Sequence, residues 1–261
     1  MYVRPELPAT VFVDAAGEPI PYGDRWGIDG PPERTYSRTR HPERFEPLIA
    51  VSRALVDHLE ATYDVDVEVT EGLPDDAPDT IRDFEHGQVR VVRTTTVVPR
   101  HGLCAPLVIA ETSFPSVLVA MGAAGLERAP ACGCDACDES LEASAEELEN
   151  LIFAVAKGRY QERYSWTEGI EIVVGADQGA RWSRTPRQAA DKERVDALKQ
   201  SQRLRHGERW MPWPARRDDA AGTWDDAVDE SRRRSRLAAR SGHEAAVEQA
   251  IERIRRRLRA S

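Results

Sequence analysis

Residues 89–121 read VRVVRTTTVVPRHGLCAPLVIAETSFPSVLVAM, and the fold class is predicted from this stretch. Val and Thr fill residues 89–99 almost throughout, whereas residues 104–112 and 116–121 form more continuous apolar runs. β-branched residues favour strands, and continuous apolar runs are typical of strands near the middle of a sheet. Prolines and a glycine separate the three runs. The stretch therefore predicts three consecutive strands.

Helical periodicity flanks these strands on both sides. Apolar residues recur every three or four positions over residues 41–62 and 141–158, which predicts two amphipathic helices. The Ser-x-x-Glu spacing of residues 144–147 predicts a capping box for the second helix. Shorter strands are predicted at residues 65–69 and 169–174, the second as the last strand. This order predicts an α+β fold, with two helices on one face of a mostly antiparallel sheet of about five strands.

Three regions are expected along the chain. Residues 1–40 form an N-terminal arm with a short hairpin, residues 41–178 form the α+β core domain, and residues 179–261 form a charged helical extension. Thr185-Pro186 predicts the start of a helix that runs to about residue 205. The aromatic segment 210–214 is expected to dock back on the core. Ser241-Gly242-His243-Glu244 predicts a capping box for a final helix rich in arginine.

Composition limits the class of protein. The 261 residues are 41% hydrophobic and 31% charged, which is ordinary for a soluble globular chain. The first residues have no apolar run typical of a secretory signal, and no apolar run is long enough to span a bilayer. A cytoplasmic location without membrane contact is therefore expected, where thiols stay reduced.

Charge is distributed unevenly. Residues 1–200 hold 21 basic and 35 acidic side chains, a net charge of −14, and residues 201–261 hold 15 and 10, a net charge of +5. Phosphate contacts dominate nucleic-acid affinity, so the acidic core is not expected to bind nucleic acid. The arginine-rich tail, residues 232–259, leaves open a nucleic acid or an acidic protein as a partner, although such a run is more often a solvated helix face.

Residues 131–139, ACGCDACDE, contain three of the four cysteines. In a reducing compartment such a cluster indicates metal or thiol chemistry. We expect Cys132, Cys134 and Cys137 to bind zinc, which takes four ligands at tetrahedral angles. Cys104 is the predicted fourth ligand, provided that it meets the loop at one end of the sheet, and His101 and His86 are alternatives. Four thiolates would leave a net charge of −2, and only Arg128 is expected nearby to offset it.

Two other interpretations of the cluster stay open. Cys134 and Cys137 have the spacing of a redox dithiol before a helix, where thiol pKa values are lowered. Alternatively, the thiols are free and incidental. The nucleotide-binding, zincin and α/β-hydrolase motifs do not occur in the sequence.

Five segments recur together in one family, and they are 22–27 (YGDRWG), 31–33 (PPE), 36–37 (YS), 41–45 (HPERF) and 132–138 (CGCDACD). With these segments the chain resembles a family of uncharacterised actinobacterial proteins known only as a domain of unknown function. The resemblance covers roughly residues 1–178, its most specific part is the cysteine segment, and it implies no activity or site.

The sequence thus favours a non-enzymatic interaction module with a structural zinc-binding cysteine loop and an unidentified macromolecular partner. A thiol-redox or metal-dependent enzyme that uses Cys134 and Cys137 is the first alternative. Binding of a partner or nucleic acid by the basic C-terminal helix is the second.

Overall fold

A computed structural model describes residues 1–75, 77–84, 89–176, 179–207 and 209–216. Residues 1–214 form one compact unit, and its α+β class is the one predicted. The α-helices are α1 (Pro47–Thr62), α2 (Asp79–Arg82), α3 (Leu141–Ala156) and α4 (Lys192–Leu204). Short 3₁₀ helices lie at Glu33–Thr35, Pro42–Phe45 and Arg187–Ala189.

A five-stranded antiparallel sheet forms the centre of this unit. In both spatial and chain order its strands are β1 (Val65–Glu71), β2 (Val91–Pro99), β3 (Leu107–Thr112), β4 (Val117–Met121) and β5 (Gly125–Ala129). The first four correspond to predicted strands. β5 does not, because its three central residues, Leu-Glu-Arg, show neither an apolar run nor alternation.

Helices α1 and α3 pack together on one face of the sheet, as predicted. The periodic apolar residues of both helices are buried against inward side chains of β2, β3 and β4. The predicted capping box is wrong, because Ser144 lies inside α3, four residues after the observed N-cap. Ser140 is the N-cap, and its hydroxyl accepts a hydrogen bond from the N–H of Ala143 at 3.1 Å.

A second antiparallel sheet follows α3 and contains β6 (Tyr160–Ser165), β7 (Gly169–Ala176) and β8 (Gly179–Thr185). Only β7 is a predicted strand, and it is not the last one. The predicted helix start at Thr185 is also wrong, because residues 179–185 pair with β7. Helix α4 begins at Lys192 and is capped by Asp191, whose carboxylate accepts from the N–H of Arg194 at 3.0 Å.

The arm contains the expected hairpin, and the 210–214 segment docks on the core as expected. In the arm, Val13 and Pro19 form the bridge of a short hairpin. At the other end, Trp210 and Trp213 are buried, and the indole of Trp213 donates to the carbonyl of Ala105 at 2.9 Å. The 210–214 segment is therefore part of the core packing.

Some predictions fall on residues outside those that the structure describes. These are the helix from Ser241, the arginine-rich tail 232–259 and the candidate ligand His86. The division at residues 40 and 178 stays a prediction, although β7 and β8 pair across position 178. Among the described residues, no helix has the length and apolar character needed to cross a membrane.

Candidate metal centre

The cysteine loop joins the end of β5 to the start of α3. Its path depends on Gly133, which has a φ of +79° and would place a Cβ 2.9 Å from the ring of Phe114. A side chain here would meet both backbone strain and a collision, so glycine is required. After Gly133 the chain makes one turn, in which the N–H of Asp138 donates to the carbonyl of Cys134 at 3.3 Å.

This path brings three sulfurs together. The Sγ atoms of Cys132, Cys134 and Cys137 all lie within 4.8 Å of one another. Two thiolates on a tetrahedral zinc ion stand about 3.8 Å apart, given Zn–S bonds of about 2.3 Å. A small contraction of the loop therefore suffices to bind a metal ion. Cys134 is buried at the base of the group, and Cys132 and Cys137 are exposed at its rim.

The pKa values of Cys134 and Cys137 are shifted in opposite directions. Burial acts to raise the pKa of Cys134, but hydrogen bonds from the backbone N–H groups of Cys137 and Ala136 and from the thiols of Cys132 and Cys137 lower it overall. The pKa of Cys137 is raised to about 12 by burial, by its hydrogen bonds to the other two sulfurs and by repulsion from them. Backbone N–H groups that face a sulfur stabilise it as the thiolate that a metal needs.

Arginines of the N-terminal arm and of the 3₁₀ helix Pro42–Phe45 that follows it hold the loop. The backbone N–H of Arg25 donates to a carboxylate oxygen of Asp138 at 2.8 Å, and its guanidinium contacts the other oxygen of that carboxylate and the carbonyl of Asp135. Arg44 is buried and donates to the carbonyl oxygens of Gly133 at 3.1 Å and Arg40 at 2.6 Å. Burial lowers the pKa of Arg44, which shows the desolvation that its hydrogen bonds must offset.

The loop carboxylates are engaged away from the sulfurs. Asp135 accepts from the N–H of Arg40 at 3.1 Å, and Asp138 is bound by Arg25. Glu139 closes the loop, because its two oxygens accept from the N–H groups of Ala131 at 2.7 Å and Cys132 at 2.9 Å. These carboxylates therefore shape the loop.

The expectation that only Arg128 would offset the thiolate charge is wrong. Three further guanidinium groups, those of Arg25, Arg40 and Arg44, lie against the loop. Segments 22–27 and 41–45 carry two of them, and both segments are among those that support the family resemblance. That shared occurrence is the signal by which the arm could be linked to the cysteine loop.

The structure does not bring Cys104 to the group. Leu107, just after Cys104, pairs with Met121, and Met121 pairs with Gly125 at the start of β5. The cysteine loop follows the other end of β5, so the two lie at opposite ends of the sheet. Cys104 is buried with its sulfur 3.4 Å from the carbonyl oxygen of Pro212, and burial raises its pKa to about 11. His101 lies beside Cys104, 3.8 Å from its sulfur.

Comparison with known proteins identifies a family. A family model described as "Family of unknown function (DUF6226)" matches residues 8–217. The chain belongs to this family. The match confirms the expected relationship to a domain of unknown function and includes the arm, the cysteine loop and the docked 210–214 segment. No curated protein matches the chain, and no solved structure matches it.

Proposed function

We propose that the chain is a non-enzymatic interaction module whose cysteine loop binds one zinc ion. The observation that carries the proposal is the mutual approach of the three sulfurs of Cys132, Cys134 and Cys137. Sulfur ligands select soft or borderline ions, and zinc takes them at tetrahedral angles. Zinc is favoured over a redox-active metal for a structural role because it has no redox chemistry of its own.

A zinc ion here would stabilise the attachment of the arm to the core. The loop meets the arm through Asp138 and the backbone of Asp135, whose N–H donates to the carbonyl of Arg38 at 2.7 Å. The metal would hold the loop in the shape that presents these groups. Metal binding would therefore stabilise the contact between the arm and the core, since ions that bind only the folded state stabilise it.

The surroundings of the cysteines support a structural role over catalysis. A cavity of about 200 Å³ borders the cysteine loop at Ala131, but no cysteine lines it, and a second of about 150 Å³ lies away from the loop. An enzyme needs a concave site that positions a substrate against the metal. The adjacent carboxylates are engaged by Arg25, Arg40 and backbone N–H groups, which removes them as general bases.

Zinc-dependent stability tests this proposal. We expect zinc to raise the unfolding temperature of metal-free protein, with one ion bound per chain. The Cys134→Ser variant should lose this response, whereas the Cys104→Ser variant should keep it, because Cys104 lies at the other end of the sheet. Equal zinc responses in wild type and Cys134→Ser would contradict the proposal.

Exposed aromatic residues support the interaction half of the proposal. Trp166 and Trp182 are 65% and 54% exposed, and arginine guanidiniums stack on them, Arg187 at 3.8 Å and Arg184 at 4.9 Å. Tryptophan and arginine are enriched at protein interfaces and at their energetic centres. A photoreactive residue in place of Trp182 should crosslink a partner protein in cells. The same residue in place of Val69 should not crosslink that protein. Identical crosslinks from both positions would contradict this assignment.

A dithiol redox function is the second candidate, favoured by the opposite pKa shifts of Cys134 and Cys137. The loop, however, places Cys137 four residues before the first residue of α3, away from the helix N-terminus that activates such thiols. Equilibration with glutathione buffers separates the candidates. A redox enzyme would form a reversible Cys134–Cys137 disulfide that zinc does not block, whereas the zinc site predicts that bound zinc prevents the oxidation.

A further inference from the structure

We propose that zinc on this loop keeps one coordination position open to solvent, and that this position accepts a thiolate from outside the protein. The inference rests on the proposed zinc site and names the chemical class of its fourth ligand. Its consequence is that an external thiol can bind the metal while the three cysteines retain it.

The exposure of the sulfurs gives the direction of the open position. Cys134 is buried with its sulfur facing the backbone N–H groups of Ala136 and Cys137, so it forms the base of the site. Cys132 and Cys137 are exposed. A zinc ion above Cys134 would lie between two exposed sulfurs, and its remaining tetrahedral position would point away from the base into solvent.

The loop carboxylates Glu139 and Asp138 cannot take this position without losing the hydrogen bonds that hold the loop in shape. Glu139 would have to release the N–H groups of Ala131 and Cys132, which it accepts at 2.7 and 2.9 Å. Asp138 would have to leave the guanidinium and the N–H of Arg25. Within the described part of the chain, the three cysteines form a group with no further His, Cys, Asp or Glu.

Local charge permits an anionic ligand to approach. The guanidiniums of Arg25, Arg40 and Arg44 match the three loop carboxylates in number, and zinc with three thiolates carries one net negative charge. Arg128 adds a positive charge beside the loop, where its guanidinium contacts the carbonyl of Ala131. The whole site is then neutral, and sulfur is the ligand that matches the three already present.

The exchange step conserves atoms and charge. The sulfur of an incoming thiolate donates an electron pair to zinc and forms a fourth Zn–S bond. The water molecule that held this position leaves as the new bond forms, and zinc keeps its bonds to Cys132, Cys134 and Cys137. Zinc remains Zn²⁺ throughout, so no oxidant or reductant is needed. The incoming thiolate can belong to a small molecule or to a cysteine of another protein.

Cobalt substitution of the full chain tests the open position. Co²⁺ would replace zinc and report its sulfur ligands through charge-transfer absorption. We expect 2-mercaptoethanol to shift the visible bands saturably at one thiol per metal, with the cobalt retained. The charge-transfer absorbance should rise by about one third, since three cobalt–sulfur bonds become four. A second experiment uses a peptide with one cysteine in place of 2-mercaptoethanol. Comparing the affinities of the two thiols for the cobalt-loaded protein shows whether a protein cysteine or a small-molecule thiol is the preferred ligand.

The controls separate the possible failures. Cys104→Ser and His86→Ala variants should show the same thiol response as wild type. A thiol response that appears only after His86→Ala would overturn the inference, because a protein ligand would then occupy the position. An unchanged spectrum of cobalt-loaded wild type would also overturn it and leave the metal site intact. Absence of cobalt–thiolate absorption before any thiol is added would instead refute the proposed function.

Discussion

Replacing Arg44 by methionine tests how the 3₁₀ helix after the arm joins the end of the arm to the cysteine loop. The side chain of Arg44 is buried and donates to the carbonyl oxygens of Arg40 at 2.6 Å, His41 at 3.1 Å and Gly133 at 3.1 Å. Its guanidinium also lies 4.1 Å from the ring of Tyr22. Methionine keeps an unbranched apolar side chain in place of the arginine stem and removes every donor.

The expected loss follows from these hydrogen bonds. A hydrogen bond from a charged donor contributes about 1.5–3 kcal/mol to folding. Leaving a buried carbonyl without a donor lowers the free energy of unfolding by a similar amount. Burial lowers the pKa of Arg44, so desolvation of the cation offsets part of the gain. We therefore expect Arg44→Met to lower the free energy of unfolding by about 3 kcal/mol. For a domain of this size that loss corresponds to about 6–12 °C in unfolding temperature.

Urea unfolding at equilibrium measures this change, with Arg100→Met as the matched control. Arg100 is 57% exposed and pairs with Asp64 and Asp66 on the surface, where such pairs contribute about 1 kcal/mol at most. Arg44→Lys keeps the charge but not the planar fork of donors, so its loss should be intermediate. An Arg44→Met loss within about 0.5 kcal/mol of the Arg100→Met loss would refute the reasoning.

Three further predictions concern other parts of the unit. Burial raises the pKa of Glu162, so the folded state binds a proton more tightly than the unfolded state, and this stability is lost as pH rises above the ordinary value of 4.5. Glu162→Gln removes that titration, and the stability advantage of wild type over the variant should therefore shrink as pH rises in urea titrations; an advantage that grows would contradict the assignment. Cys104, with a pKa near 11, should be about a thousand times less ionised than a fully deprotonated thiol at pH 8, and peptide mapping after iodoacetamide treatment of metal-free protein should show it labelled far more slowly than Cys132. Comparable labelling of the two would show that Cys104 is not buried. Trp213→Ala should cost about 3–5 kcal/mol in thermal unfolding, because the ring is 4% exposed and packs edge-on against Tyr63, whereas Trp182→Ala, at an exposed position, should cost less than 1 kcal/mol.

The parts of the fold that sequence predicts are those with strong hydrophobic periodicity. α1, α3 and β2 to β4 bury regular apolar faces, so their patterns indicate both type and orientation, whereas β1 alternates in sequence but buries only Val65. β6 and β8 lack such a pattern. β6 turns Glu162 inward, where the carboxylate accepts from backbone N–H groups of Ala123 and Ala124 at 2.8 Å, and β8 is exposed along nearly its whole length. A buried, hydrogen-bonded carboxylate in β6 and the exposure of β8 leave no apolar periodicity, so neither strand is predicted from the sequence.

The unpredicted strand β5 explains why Cys104 does not lie near the other three cysteines. With β4 as the last strand of the meander, the chain would leave the sheet at Met121, beside Leu107 and close to Cys104. β5 carries the chain back across the sheet to Ala129, opposite Val117, so the cysteine loop forms at the far end. The spacing of Cys132, Cys134 and Cys137 predicts their proximity because it is local. The place of Cys104 depends on the number of strand crossings, which the sequence does not reveal.

The arginine contacts with the cysteine loop also cannot be predicted from hydrophobic patterns, because they join residues far apart in sequence. Arg25 and Arg44 bind carbonyl and carboxylate groups more than 85 residues away in sequence, at Asp135, Asp138 and Gly133. An arginine in a polar segment ordinarily indicates a solvated surface. Hydrophobic patterns do not show that these two guanidiniums lie against the cysteine loop, and the tertiary fold does.

Metal content per chain, measured together with thiol reactivity, tests the central claim most directly. The protein should be purified without a tag or chelator, analysed for metals, and titrated with a thiol reagent before and after unfolding in chelator. We predict about one zinc per chain, no rapidly reacting thiol in the folded protein and four after unfolding, since zinc shields three cysteines and Cys104 is buried. A protein free of metal, with Cys132 and Cys137 reacting rapidly in the folded state, would contradict the claim.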